Sequence, residues 1–173
     1  MPIDTRKLQV TAADSASDVF LSVQTKRAGK IKGEATTDGH EHEIGVISWA
    51  WGVKANTAIG STEATARRSY RPLVICKGID SASTALMSAL VTNDEVREAK
   101  LTMRKAGGSA LDYFKMTLSG ARVITVDLDI DARGMPIERV EIAFTAINIE
   151  YEQQADSGIS SGAYSFSDEV LPA

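Results

Sequence analysis

The chain contains a single cysteine, Cys76, among 173 residues, so no intramolecular disulfide can form and the fold must stand on packing alone. Cys76 lies in the apolar run Leu73-Val74-Ile75-Cys76, where it reads as a small buried hydrophobe. Histidine is nearly as scarce. His40 and His42 are the only two, both in a turn-like segment, so Cys76 has no adjacent base that would mark a nucleophile. No run approaches the roughly 20 apolar residues of a membrane span, so no membrane insertion is expected. Basic charge is not in excess: 19 Lys and Arg face 23 Asp and Glu, for a net charge of -4. The pairs Lys26-Arg27 and Arg67-Arg68 are too short to build the concentrated basic face that nucleic acid requires. There is no Gly-rich phosphate loop ahead of a helix, and no Ser, His and Asp order that makes mechanical sense. No catalytic residue and no cofactor is therefore expected. Residues 1–18 carry charge and no apolar stretch of signal-peptide length, which predicts folding in the cytoplasm and export, if any, without a cleavable signal.

What the chain does contain fits one globular domain. Its 18.5 kDa suffices for a proper core, and 43% hydrophobic with 24% charged residues sits near the globular average. Residues 1–17 are polar and read as a flexible N-terminal arm; residues 18–152 read as the domain. The Ser- and Gly-rich residues 153–173 read as a flexible C-terminal tail.

Within the domain the dominant signal is period two. Val19 to Val23 reads as a strand, residues 27–30 as a turn, and residues 31–35 as a short return strand. Residues 43–53 alternate, with Ile47, Trp49, Trp51 and Val53 on one face and Ile44, Val46, Ser48 and Ala50 on the other. Residues 54–71, small and polar with one isolated isoleucine, read as a long loop and the first candidate for a partner-binding element. A strand follows over residues 71–77. Behind an Asp80/Ser81 cap, Ala82, Ala85, Leu86, Ala89 and Leu90 recur at helical spacing, which predicts one Ala-rich amphipathic helix ending near Thr92.

Residues 98–105 and 111–118 flank Ala106-Gly107-Gly108-Ser109 as a hairpin, and Ser119-Gly120 reads as a further turn. Ile124, Val126, Leu128 and Ile130 then share one face of a half-exposed strand. Residues 137–151 change phase at Ala146, which implies a bulge or a strand leaving one buried environment for another. The sum is a mainly β fold: an antiparallel β-barrel or sandwich of about eight strands with one flanking α-helix.

Two constellations carry chemistry on paper. His40 and His42 would point the same way in an extended segment and could share a metal, but no third ligand sits at a recognisable spacing, so a hydrogen-bonded turn is expected. Asp127 and Asp129 lie opposite an apolar face and read as solvated.

Several segments stand in a fixed order: Phe20-Leu21, Ile31-Lys32-Gly33-Glu34, His40 with Glu43-Ile44, and Ser48-Trp49-Ala50-Trp51-Gly52. Lys77-Gly78-Ile79-Asp80-Ser81-Ala82-Ser83 precedes the helix, and the run from Ala99 to Gly108 precedes Tyr113-Phe114-Lys115. In that order they resemble the hemolysin-coregulated protein (Hcp) family of the bacterial type VI secretion system. The resemblance implies a β-barrel with one helix that assembles into homo-hexameric rings. It further implies stacking into a hollow tube driven out by a contractile sheath, with a spike protein and effector proteins as partners. On that footing Lys54, Asn56, Thr57, Ile59, Glu63, Arg67 and Arg68 are expected to reach the adjacent ring. Ser48, Ala50, Ile147, Ile149 and Tyr151 are expected to contribute to the contact within a ring. The alternative is a monomeric β-barrel module for carbohydrate or peptide, with Trp49 or Trp51 exposed as a stacking platform.

Overall fold

The structure, a computed structural model, describes residues 17–56, 59–60, 67–106, 111–154 and 160–170. In chain order the elements are β1 Ser17–Thr25, β2 Gly29–Ile31, β3 Ile44–Val46, β4 Ser48–Ala50, β5 Val53–Asn56, β6 Arg67–Tyr70 and β7 Leu73–Gly78. Helix α1 Ser83–Val91 follows, then β8 Val96–Lys105, β9 Asp112–Ile130, β10 Pro136–Ala143, β11 Ala146–Gln154 and β12 Ser160–Glu169. Ten strands form one sheet along the path β2-β1-β8-β9-β10-β7-β4; β3 joins β1, β11 joins β9 and β12 joins β11. Strands β5 and β6 form a separate two-stranded ribbon. The fold is the mainly β antiparallel architecture with one helix that the alternation predicts.

β9 organises the sheet. Its first half pairs with β8 on one side and β11 on the other, and its second half pairs with β10. The crossing point is Gly120, at φ +53, where a Cβ would sit 2.2 Å from Thr145 Oγ1. Only glycine tolerates both the left-handed backbone and that approach. The turn expected at Ser119-Gly120 is thus a bend inside one continuous strand, and it lets β9 serve two environments.

The phase change near Ala146 has the same cause. The backbone breaks at Phe144 and Thr145; β10 lies between β9 and β7, whereas β11 lies between β9 and β12. Residues 43–53 divide similarly, and here the single alternating strand is corrected. β3 pairs with β1 and β4 pairs with β7, with a bend at Ile47, whose amide bonds to the Cys76 carbonyl at 2.8 Å. Ile44 is buried and Val46 packs on the core before the bend, while Trp49 and Trp51 pack on it after. Ile47 faces solvent at 65% exposure, so it does not share the tryptophan face.

A register shift between Glu141 and Ile142 corrects the β9 face as well. Thr125 pairs with Glu141 and Val123 with Ile142, so Ile124 is the extra residue of a bulge and is 48% exposed, with Val123 taking the core position. Leu21, Val23, Ile75, Leu101, Met116, Leu118, Val140 and Ile142 fill the core, capped by Ala82 just ahead of α1 and by Leu86 and Ala89 within it. No side chain caps α1 itself; Asp80 Oδ1 instead accepts from the Ala82 amide at 2.9 Å in the preceding turn. The tail differs most from expectation. Ser160–Glu169 pair with β11 over its whole length, because a polar, Ser-rich segment still forms a strand where a neighbouring edge supplies its hydrogen bonds. The arm over residues 1–16 and the Gly107-Gly108 turn lie outside the described residues.

Candidate assembly surfaces

Residues 54–71 are not a plain loop. β5 and β6 pair from Val53–Tyr70 to Asn56–Arg67 as an antiparallel ribbon standing apart from the main sheet. Its base is fixed from two sides. Tyr70 stacks on Trp51 at 6.1 Å and meets Phe144 edge-on at 6.1 Å. Arg68 and Tyr70 both bond to Asp168 of β12, the Arg68 Nη2 at 2.9 Å and the Tyr70 hydroxyl on the other carboxylate oxygen. The Tyr70 bond, then the Arg68 bond, outweigh partial desolvation and hold the Asp168 carboxyl below its ordinary value. Lys54, Asn56, Ile59 and Arg67 project into solvent, with Ile59 fully exposed. Thr57 and Glu63 lie outside the described residues.

Of the five residues expected at a ring contact, Ile147 is buried and the other four reach the surface at least in part. Ser48 and Ala50 are exposed on β4, at the end of the sheet path. Ile147 is 2% exposed and belongs to the core, so its side chain cannot meet a neighbour; this corrects its assignment. Period-two alternation puts Ile149 and Tyr151 on the same side as Ile147, but the core runs out along the strand. Ile149 packs half-buried against it and Tyr151 is 43% exposed, stacked on Tyr164 at 6.3 Å. Tyr164, Phe166 and Asp168 escape a composition-based reading because they sit among serines and glycine; their own signal is the Tyr-x-Phe-x-Asp alternation.

The histidines are separated. His42 takes φ 63 in the turn and is exposed, whereas His40 is buried and stacked flat on Phe20 at 4.3 Å. His40 Nδ1 lies 2.7 Å from Glu43 Oε2 and Nε2 lies 3.0 Å from Asp112 Oδ1, which also accepts from Arg104 Nε at 2.8 Å. Burial alone would push the Asp112 carboxyl up, but hydrogen bonds from Arg104 and His40 together hold it below its ordinary value. This hydrogen-bonded turn ties residues 38–43 to β8 and β9. Asp127 and Asp129 are exposed, as the alternation predicts.

A second buried network was not legible at all. Lys77 and Glu138 are both fully buried, with Nζ 2.9 Å from Oε2, 2.8 Å from Asp80 Oδ1 and 3.1 Å from Ser83 Oγ. It locks β7, β10 and the start of α1 together. An open depression of about 550 Å³ lies along β11 and β12 between Ser119, Asn148, Ser167 and Glu169. Of its two lining carboxylates, Asp168 and Glu169, the first is already engaged by Arg68 and Tyr70. No helix among the described residues is long and apolar enough to cross a membrane.

The sequence profile described as "Type VI secretion system effector, Hcp" matches residues 20–151, which spans the whole β core. The chain belongs to the Hcp family. It is 28% identical to protein hcp1 of Pseudomonas aeruginosa over 151 residues, covering 85% of this chain and 90% of that one. The crystal structure of Hcp1 from Salmonella typhimurium superposes with a TM-score of 0.68 at 28% identity, covering 89% of this chain and 95% of the other. A type VI secretion system effector from Yersinia pestis shares the fold at 24% identity and a TM-score of 0.71, over 88% of this chain and all of its own. The chain is thus a type VI secretion Hcp protein, and as such a secreted one. The β5–β6 ribbon and residues 160–169 lie respectively inside and beyond the matched Hcp segment.

Proposed function

We propose that this chain is the structural tube component of a type VI secretion system. It assembles into hexameric rings that stack into a hollow tube, with a contractile sheath, a spike protein and effector proteins as partners and no bond made or broken. The observation that carries the reading is the β5–β6 ribbon: four residues long on each arm, detached from the main sheet, yet anchored at its base by Asp168, Trp51 and Phe144. A ribbon rigid at its root and solvent-exposed beyond it suits an axial contact with another copy. A head-to-tail lateral contact that closes makes a ring, and a second along the axis that never closes makes a tube.

Deleting residues 57–65 tests the ribbon's role under negative-stain electron microscopy. Rings without tubes are expected; tubes from the deleted protein would refute the axial assignment. The alternative reading as a carbohydrate or peptide module gains no support from the tryptophans. Trp49 stacks on Phe114 at 5.6 Å and Trp51 on Tyr70, both packed against the core, which leaves neither as an open platform.

A further inference from the structure

β12 is the longest strand of the sheet that pairs on one side only: ten residues, nine of them in register with β11, with no second partner among the described residues. An uncovered edge of this length invites pairing with another chain and is normally shielded. Its face matters more than its edge. The register sets Phe166 opposite Ile149 and Tyr164 opposite Tyr151, with Phe114 of β9 next in line. This row continues the core outward past the point where the chain can cover it. Tyr151 is 43%, Tyr164 61% and Phe166 45% exposed, which leaves on the order of 300 Å² of aromatic surface bare. The charged side chain on this face of β12 is Asp168, already bonded to Arg68 and Tyr70.

A second bare apolar face lies elsewhere, at the far end of β9. Val126 pairs with Val140, Leu128 with Glu138 and Ile130 with Pro136, so these side chains share the core-facing side. Glu138 there is sealed by Lys77, and Asp127 and Asp129 project the other way. Leu128 is 54% and Ile130 63% exposed. Two uncovered faces of similar extent, both free of unpaired charge and on different strands, match what a head-to-tail contact demands. Pairing β12 with its own copy would cover one face and leave the other bare.

Resting on the reading of the chain as a ring subunit, we infer that Tyr164 and Phe166 of one copy pack on Leu128 and Ile130 of the next. Neither face alone reaches the roughly 800 Å² per partner of a standard stable contact, so the β12 edge has to add to it.

The test uses two variants of the full chain, Tyr164→Ser/Phe166→Ser and Leu128→Ser/Ile130→Ser, followed by sedimentation velocity. Each is expected to melt cooperatively and to sediment as a monomer where the parent chain forms rings. Mixed, they should form heterodimers and no rings, since each supplies one intact face. Rings from either variant, or no heterodimer on mixing, overturn the inference and leave the ring reading standing. A parent chain that stays monomeric overturns both. If a serine variant fails to melt cooperatively, Tyr164→Cys/Ile130→Cys in a Cys76→Ala background takes its place. A bis-maleimide should then ladder the pair and leave each single cysteine variant uncrosslinked; dimers from Tyr164→Cys alone would mean a back-to-back contact and overturn the head-to-tail one.

Discussion

Lys77 and Glu138 face each other across β7 and β10 with the ammonium nitrogen 2.9 Å from the carboxylate and neither side chain exposed. Ser83 and Asp80 complete the shell, so the start of α1 is fastened to the sheet through a charge that cannot reach water. Removing one partner of a buried pair leaves the other uncompensated. Lys77→Met should cost about 3–5 kcal/mol, read as a lower urea midpoint. Lys77→Met/Glu138→Leu should lose less than the single variant. An unchanged midpoint for Lys77→Met would show the pair to be dispensable.

Gly120 gives a second prediction. Alanine there meets Thr145 Oγ1 and must hold φ +53, so Gly120→Ala should destabilise by about 2–4 kcal/mol. Gly33 makes an independent case, since a Cβ would come within 2.4 Å of the Glu43 carbonyl oxygen. A melting temperature within a degree of the parent's for both variants would contradict the close approaches.

These positions mark the boundary of what the residue pattern conveys. Alternation and helix spacing in the chain delineate β1, β7, β8 and α1, because each buries one regular face. The pattern does not tell that residues 43–53 pair first with β1 and then with β7, since the bend at Ile47 keeps every residue apolar enough to continue the alternation. Nor does it place Ile124 in a bulge, which depends on the register of β10. Lys77 and Glu138 look like ordinary outward charges in apolar strands until the fold sets them face to face. Of the surface residues named from the sequence, Ile59, Lys54 and Tyr151 are exposed, whereas Ile147 is buried because the phase change puts it over Leu118. Tyr164 and Phe166 were hidden by the low hydrophobicity around them.

Asp112 predicts a pH dependence. Its carboxyl is held below the ordinary carboxylate value in the fold, chiefly by Arg104 and His40 acting against burial. A lowered folded value means the contribution is complete above the unfolded value of about 3.9 and is lost as pH falls through the folded one. Asp112→Asn should therefore lower stability at pH 6 and flatten the acid side of the stability curve. A parallel loss at every pH would assign the effect to packing.

Asp168 makes a local prediction. Asp168→Ala removes the Arg68 and Tyr70 hydrogen bonds that tie the ribbon to β12 while leaving the aromatic contacts of Tyr70 in place. Amide hydrogen exchange at residues 67–70 should rise several-fold, with the exchange of β8 unchanged. Protection at 67–70 equal to the parent's would mean that the Tyr70 stacking on Trp51 and Phe144 holds the ribbon by itself.

His40 is buried in the turn that precedes β3. It fills the space on Phe20 and bonds to Glu43 and Asp112, so His40→Ala should cost about 2–4 kcal/mol. The parent chain's thermal stability should not change on adding a chelator, because His42 points away into solvent. A chelator-dependent melting temperature would reopen a metal role for the turn.

In the proposed tube, copies of this chain meet head to tail. Negative-stain electron microscopy of the purified full chain tests that most directly: six-fold annuli, some stacked on one another, are the predicted image. A field of particles no larger than one 18.5 kDa chain at high concentration would contradict it.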